Sequence, residues 1–295
     1  MYNQITSNKR KTWVLMTIFM IVIVLLGWVF GESQGIGYGG IAIAMVIAVV
    51  MNLVGYFKGD KIALAMSKAR AINKEDNSYV YRMVENLCLA SGLVAPKIYI
   101  LPDQNINAFA CGRKPETASI AISAGAIEKL ENEELEGVIA HELSHIKNYD
   151  IRVMTIVIIC VGVVTLMADF FLRTQFLFGG RRDNRESGQL GAILMIVGLV
   201  LAILSPVFAT LIQLAVSRKR EYLADASGAL LTRYPEGLAR ALEKIKNSNQ
   251  PSKTANHATA HLYIANPFEG VGKKVTGLFS THPPLDDRIA KLRNM

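Results

Sequence analysis

The residues of this chain best suited to chemistry are His141-Glu142-Leu143-Ser144-His145, an H-E-x-x-H motif. On a helix, positions i and i+4 share one face, so the two imidazoles can reach a single zinc ion. Glu142 lies beside them, where a carboxylate can serve as the general base for a water. The neighbours Leu135, Val138, Ile139, Leu143 and Ile146 supply the apolar face that a buried metal helix needs. A catalytic zinc takes three protein ligands, so one more must come from elsewhere. The best donor is the segment Arg218-Lys219-Arg220-Glu221-Tyr222-Leu223-Ala224-Asp225, where Glu221 and Asp225 again stand four residues apart. Glu221 can ligate while Asp225 accepts a hydrogen bond from a ligating imidazole. Taken alone, such a pair is an ordinary feature of a charged surface helix; the first motif makes it a candidate. His257 and His261 share the same spacing, but no acid lies between them in a general-base position. Their short segment is also bounded by Pro251 and Pro267, so they do not read as a second metal site.

The elements that must position these groups are unusual in charge. Of 295 residues, 51% are hydrophobic and 19% charged, against about 25% charged in a typical soluble domain. The deficit sits in four stretches, Thr12–Phe30, Ile36–Phe57, Val153–Leu172 and Leu190–Ser217, which together hold 89 residues and one charge, Asp169. The other 206 residues carry 55 of the 56 charges, an ordinary density. A wholly soluble, a disordered or a collagen-like chain is thereby excluded. The first two stretches are long enough to cross a ~30 Å hydrocarbon core. Lys9, Arg10 and Lys11 precede the first, but no cleavage site follows, so the reading is an uncleaved anchor hairpin. Basic residues flank both open ends of that hairpin, which predicts that both face the cytoplasm. The net charge of +8 is absorbed by this flanking; no aromatic-interleaved basic patch points to nucleic acid. Cys88, Cys111 and Cys160 have no C-x-x-C spacing and read as buried reduced thiols.

Four segments follow: residues 1–57, an anchor hairpin; 58–152, the first part of a soluble domain with the HELSH helix; 153–217, a second hydrophobic hairpin; and 218–295, the remainder with the third ligand. Residues 58–75 read as a basic amphipathic connector helix. A helix beginning at Asn77 and ending at Gly92, strands at Lys97–Leu101, Ile106–Cys111 and Ser119–Ser123, and a short helix at 124–130 come next. Asn132 is the expected cap of the HELSH helix, which no proline interrupts before Leu172. Against the second hairpin as a pair of spans stand Arg173, Arg181, Arg182 and Arg185 in its link, Asp169, and Pro206, which should kink the fourth stretch; spanning helices are nevertheless the expectation, over a buried hydrophobic hairpin packed on the domain. A hairpin that returns to the side it entered would bring Glu221 back to His141 and His145. Helices at 218–231, at 235–246 and after Pro283-Pro284 complete the chain.

HELSH, the EYLAD segment, the hydrophobic pair between them, the anchor hairpin, Asn107-Ala108-Phe109-Ala110-Cys111-Gly112 and the terminal Thr281-His282-Pro283-Pro284-Leu285-Asp286-Asp287-Arg288-Ile289 together resemble the HtpX heat-shock metallopeptidases, which are related to the CAAX prenyl endopeptidases. The resemblance covers essentially the whole chain. It implies an α+β, zincin-like (gluzincin) metallopeptidase domain with a small mixed β-sheet, combined with four hydrophobic transmembrane helices. It implies a zinc endopeptidase of the bacterial inner (cytoplasmic) membrane, its active site facing the cytoplasm, with misfolded or damaged membrane proteins as substrates and the bilayer as partner. His141, His145 and Glu221 would hold zinc and Glu142 would be catalytic. Asn107, Ala108 and Phe109 would belong to a substrate-facing edge strand. His282 would stabilise the oxyanion, and Arg288 would hold the terminal segment in place. For these last residues, plain strand and loop structure is the competing reading. Two other functions stay open on the residues alone. One is processing of lipidated C-termini, against which four spans argue. The other is a membrane scaffold or transporter with a structural metal, for which the spans hold too few polar residues.

Overall fold

The computed structural model describes residues 2–33, 35–160, 162, 218–248, 264 and 283–295. Two long helices lead, α1 (Tyr2–Ser33) and α2 (Tyr38–Met66). Windows Ile5–Trp28 and Tyr38–Met66 are long and apolar enough to cross a membrane, and only about a third or less of each is buried. Their outer faces carry exposed Val14, Ile21, Leu25, Ile43, Val46, Val50, Leu53 and Phe57, far more apolar surface than a water-facing helix tolerates. The two helices touch through small residues: a Cβ on Gly40 would meet the Gly27 carbonyl at 2.5 Å. Such close approach is how apolar helices associate where no hydrophobic drive exists between them.

The connector differs from the sequence expectation. α2 runs through residue 57 without a break and ends only at Met66, and Arg70–Ala71 forms strand β1 instead of more helix. Lys68 takes a left-handed turn (φ 53°), and β1 then pairs antiparallel with β2, Arg70 opposite Ile100. Backbone pairing with a sheet edge overrides the amphipathic pattern here.

Next, α3 (Ser78–Ser91) is capped by the Asn77 side chain, which accepts from the Val80 amide, and is stopped by left-handed Gly92. It buries Val80, Met83, Val84, Leu87 and Cys88, the face its periodicity predicts. Strands β2 (Lys97–Leu101), β3 (Ala108–Cys111) and β4 (Ser119–Ser123) join β1 in a mixed sheet of order β1-β2-β4-β3, with β2 parallel and β3 antiparallel to β4. β3 is therefore an edge, beginning one residue after Asn107. β4 alternates in sequence, yet both its faces are buried. Helix α4 (Ala124–Lys129) follows, capped by Ser123.

The HELSH residues lie on α5 (Asn132–Lys147). Its N-cap is Glu131 rather than Asn132, because the buried Glu134 carboxylate reaches back to the Glu131 amide (2.8 Å) and also binds Lys244 (2.7 Å). The expected uninterrupted run into the third apolar stretch is also corrected. α5 ends at Lys147, Tyr149 is left-handed (φ 60°), and a new helix, α6, starts at residue 150 and is described to 160. After it come α7 (Arg218–Thr232), α8 (Pro235–Asn247) and α9 (Leu285–Arg293). The main core joins α3, α5, α8 and the sheet, with Ile120, Leu135, Ile139, Leu143 and Leu242 at its centre. Most of the third apolar stretch and all of the fourth, including Asp169, Pro206 and the four arginines between them, lie outside the described residues.

Candidate metal centre

α5 and α7 cross in contact at the HELSH turn. Gly228 permits this: a Cβ there would sit 3.0 Å from the His141 amide nitrogen and 3.2 Å from its Cα. The close approach brings Glu221 and Asp225 of α7 over the histidines of α5, with all four side chains buried. His141 Nε2 lies 3.2 Å from His145 Nε2. The Glu221 carboxylate lies 3.7 Å from each of these nitrogens, Oε2 toward His141 and Oε1 toward His145. One ligand atom from each of the three residues falls within 4.8 Å of the others.

These separations fit a metal. Bonds of ~2.0–2.2 Å in a tetrahedral shell put donor atoms ~3.3–3.6 Å apart. Two imidazole nitrogens converging with a buried carboxylate are a donor set suited to a divalent metal. Each imidazole is also turned by its far nitrogen. His141 Nδ1 faces Asp225 Oδ1 at 3.0 Å and His145 Nδ1 faces Asp150 Oδ2 at 3.1 Å. Carboxylates at Nδ1 hold the proton there and leave Nε2 free to ligate. Among the described buried groups around the imidazoles, four carboxylates (Glu142, Asp150, Glu221, Asp225) face two guanidiniums (Arg220, Arg288). With Glu142 ionised and both imidazoles neutral, the protonation state that metal ligation requires, the excess of two negative charges matches a divalent cation.

Titration follows the same balance. Burial pushes His141 below the usual imidazole range, against the pull of the Asp225 carboxylate that faces its Nδ1. Burial would lower His145 too, but Asp150, Glu221 and Glu142 outweigh it and raise it to about 9. Burial lifts the Glu142 carboxyl to about 8, partly offset by His145 and by a hydrogen bond from the Ala110 amide of edge strand β3. A carboxyl near neutrality can both take and return a proton. Asp225 is opposed by burial yet held well below the carboxylate range by Arg288 and His141.

The structure thus brings His141, Glu142, His145, Glu221 and Asp225 together, and adds residues that the motifs did not reveal. Arg288 does not serve the terminal segment alone. Fully buried, it donates twice to Asp225 (Nε to Oδ2 2.9 Å, Nη2 to Oδ1 2.7 Å) and once, from Nη1, to the Ile264 carbonyl (2.9 Å). Asp150 is wholly buried behind His145; Arg220 Nε lies 3.1 Å from its Oδ1 and the Asn8 amide of α1 donates to the same atom at 2.7 Å. Five residues past His145 and beside a helix break, Asp150 was detectable only as a charge abutting an apolar stretch. Asn107 is buried just before β3, its Oδ1 accepting from the Ile264 amide (3.3 Å) and its Nδ2 without a partner among the described residues. Ala108 and Phe109 are fully buried on the edge strand. His282, like His257 and His261, lies outside the described residues. Cys88, Cys111 and Cys160 are free and buried; burial raises Cys88 to about 11, which suppresses the thiolate.

Paired helices that bring two imidazoles and a carboxylate together, with a second carboxylate beside them, are the arrangement a metallopeptidase needs. Residues 74–295 match the model of peptidase family M48, and the chain belongs to that family. It is 45% identical to a Protease HtpX homolog of Dictyoglomus thermophilum over 294 residues, spanning 100% of this chain and 94% of that protein. It is 40% identical to a Protease HtpX homolog of Streptococcus uberis over 298 residues, spanning 100% of both. Among solved structures it is similar to the crystal structure of S. mikatae Ste24p, at 18% identity and a TM-score of 0.49, covering 99% of this chain and 66% of that one.

Proposed function

We propose that the chain is a membrane-bound, zinc-dependent endopeptidase of the bacterial inner membrane. Its active site faces the cytoplasm and it hydrolyses misfolded or damaged membrane proteins under stress. The observation that carries the reading is the convergence of His141 Nε2, His145 Nε2 and the Glu221 carboxylate within 4.8 Å. Glu142 lies beside them and a carboxylate stands behind each ring. His141, His145 and Glu221 would hold the zinc, in a gluzincin-like arrangement. Bound there, zinc supplies Lewis acidity that polarises a scissile carbonyl and makes a water acidic near pH 7. Glu142 takes the proton of the attacking water and delivers it to the leaving amine. Asp225, held by Arg288, and Asp150, held by Arg220 and Asn8, keep the two rings aimed. Edge strand β3, with Asn107, Ala108 and Phe109, offers main-chain pairing to an extended peptide, which suits loose sequence preference. His282 is the oxyanion donor in this scheme, and the third and fourth apolar stretches are further spans. Misfolded membrane proteins are the substrates that fit a site built beside helices of the bilayer. Membership of family M48 sets aside a non-catalytic scaffold. The test is casein cleavage by the detergent-purified protein. The wild type should cleave and chelator should stop it; Glu142→Gln should retain metal and not cleave. Cleavage by Glu142→Gln contradicts the mechanism.

A further inference from the structure

A cleft of about 130 Å³, well above the ~10–15 Å³ that holds one water, opens away from the metal cluster, where α2, the loop after β3 and α6 meet. Gly55, Tyr56, Phe57 and Asp60 line it from α2, Arg113 from the loop, and Arg152 and Thr155 from α6. Arg152 is 9% exposed; its Nη2 donates to the Tyr56 hydroxyl (2.7 Å), while its Nε is buried with no partner among the described residues. Arg113 stands over the rings of Tyr56 (5.2 Å) and Phe57 (4.9 Å), half-buried at the rim. Thr155 is already committed, accepting from the Gly112 amide at 3.1 Å.

The level of the cleft narrows the ligand. Phe57 is the last residue of the second apolar stretch, and Tyr56 stacks on Trp13, near the start of the first, at 6.2 Å. Tyr and Trp gather at the membrane–water boundary. The surrounding sequence is basic, with Lys9, Arg10, Lys11, Lys58 and Lys61. Two guanidiniums beside aromatic rings match the oxygens of a phosphate better than any neutral headgroup. Asp60 leaves the cleft with a net charge of +1, which a phosphodiester monoanion neutralises and a doubly charged free phosphate would overshoot. Exposed Phe57 offers an apolar wall for the glycerol and first methylenes.

We propose that this cleft binds the phosphodiester headgroup of an anionic membrane lipid, fixing the height of the peptidase domain against the bilayer. The inference rests on the reading of α1 and α2 as membrane spans. The test uses the full chain in uncharged detergent, with bound ligands counted by native mass spectrometry. The probes are dioctanoyl phosphatidylglycerol, dioctanoyl phosphatidylcholine, dioctanoylglycerol and inorganic phosphate. The wild type should retain phosphatidylglycerol in preference to the other three. Arg113→Gln and Arg152→Gln should weaken that binding by at least about tenfold, the loss expected for a charge-assisted hydrogen bond; Lys74→Gln, on an exposed surface, should not. Arg152 is buried and its variant can lose the fold, so Arg113→Gln at the rim decides. Unchanged binding in Arg113→Gln, equal retention of dioctanoylglycerol, or inorganic phosphate binding as tightly as the lipid would each overturn the proposal. Alkaline carbonate extraction of cell membranes tests the spanning reading separately. A chain released by carbonate overturns that reading and the proposal with it; a retained chain with unchanged Arg113→Gln binding overturns the cleft alone.

Discussion

Replacing Arg288 by methionine isolates the group that the metal centre leans on most. Arg288 is fully buried and makes two charge-assisted hydrogen bonds to Asp225, at 2.7 and 2.9 Å. With it gone, Asp225 stays buried with, among the described residues, the His141 ring at 3.0 Å as its remaining partner, and the Ile264 carbonyl loses its donor. Stripping one partner from a buried ion pair costs about 3–5 kcal/mol. In a chain of this size each kcal/mol moves Tm by about 2–4 °C, so a fall of about 6–20 °C is expected. Asp225→Asn should cost less, because Arg288 keeps the Glu221 carboxylate at 3.7 Å. The double variant removes both halves of the Arg288–Asp225 pair, so the two losses should not add; the coupling should be about 2–3 kcal/mol. The assay is thermal unfolding of metal-free protein in detergent at one scan rate. At pH 7 both partners are charged, because Asp225 is held below, and Arg288 above, its usual range. The stabilisation from a depressed carboxyl is full above ~pH 4 and fades as pH falls through the folded value, so wild type and Arg288→Met should converge in acid. Additive single losses, or a Tm change of Arg288→Met under ~3 °C, would refute the reasoning.

Other consequences can be checked in the same preparation. Asp150→Asn should weaken zinc binding about 10–100-fold by freeing the His145 ring, read by competition with a chelating dye; Asn8→Ala should act in the same direction and less. Equal affinity in Asp150→Asn would remove it from the site. His145 is raised to about 9 in the metal-free protein, so zinc uptake at pH 7.5 must expel its proton and apparent affinity should climb with pH up to that value. Calorimetry in buffers of different ionisation enthalpy should report at least about one proton released, and none would contradict the ligand role. Gly228→Leu should force α7 off α5 and lose bound metal, while keeping the helical circular dichroism of the fold. Retained stoichiometric metal there would show that the close approach is not what assembles the cluster.

The parts of the site that were legible in the sequence are the local ones. HELSH and the Glu221–Asp225 pair each use the i,i+4 geometry of one helix, so spacing alone declares a shared face. α3 and the strands were legible because Asn77, Gly92 and the alternating runs are short-range signals. Asp150 was hidden because its placement depends on a break at Tyr149, a left-handed aromatic that no propensity announces. Asn8 was hidden by distance along the chain, 142 residues from the carboxylate it holds. Arg288 reads from the sequence as a tie for the terminal segment, but the acid that receives its fork is not legible there, since only the packing of α9 on α7 decides it. The extent of α2 and the strand at Arg70–Ala71 were misread because the sheet edge, not the local amphipathic pattern, ends the helix.

In the proposed enzyme, two imidazoles of α5 and one carboxylate of α7 form a single metal shell. The most direct measurement is zinc X-ray absorption, with metal content, on the purified full chain and on Glu221→Ala. The account predicts about one zinc per wild-type chain in a low-coordinate shell. That shell should contain two imidazole nitrogens and oxygen at ~2.0–2.2 Å, with no sulfur, and Glu221→Ala should lose the metal or bind it far more weakly. A sulfur scatterer, a single imidazole, or an unchanged shell in Glu221→Ala would contradict it.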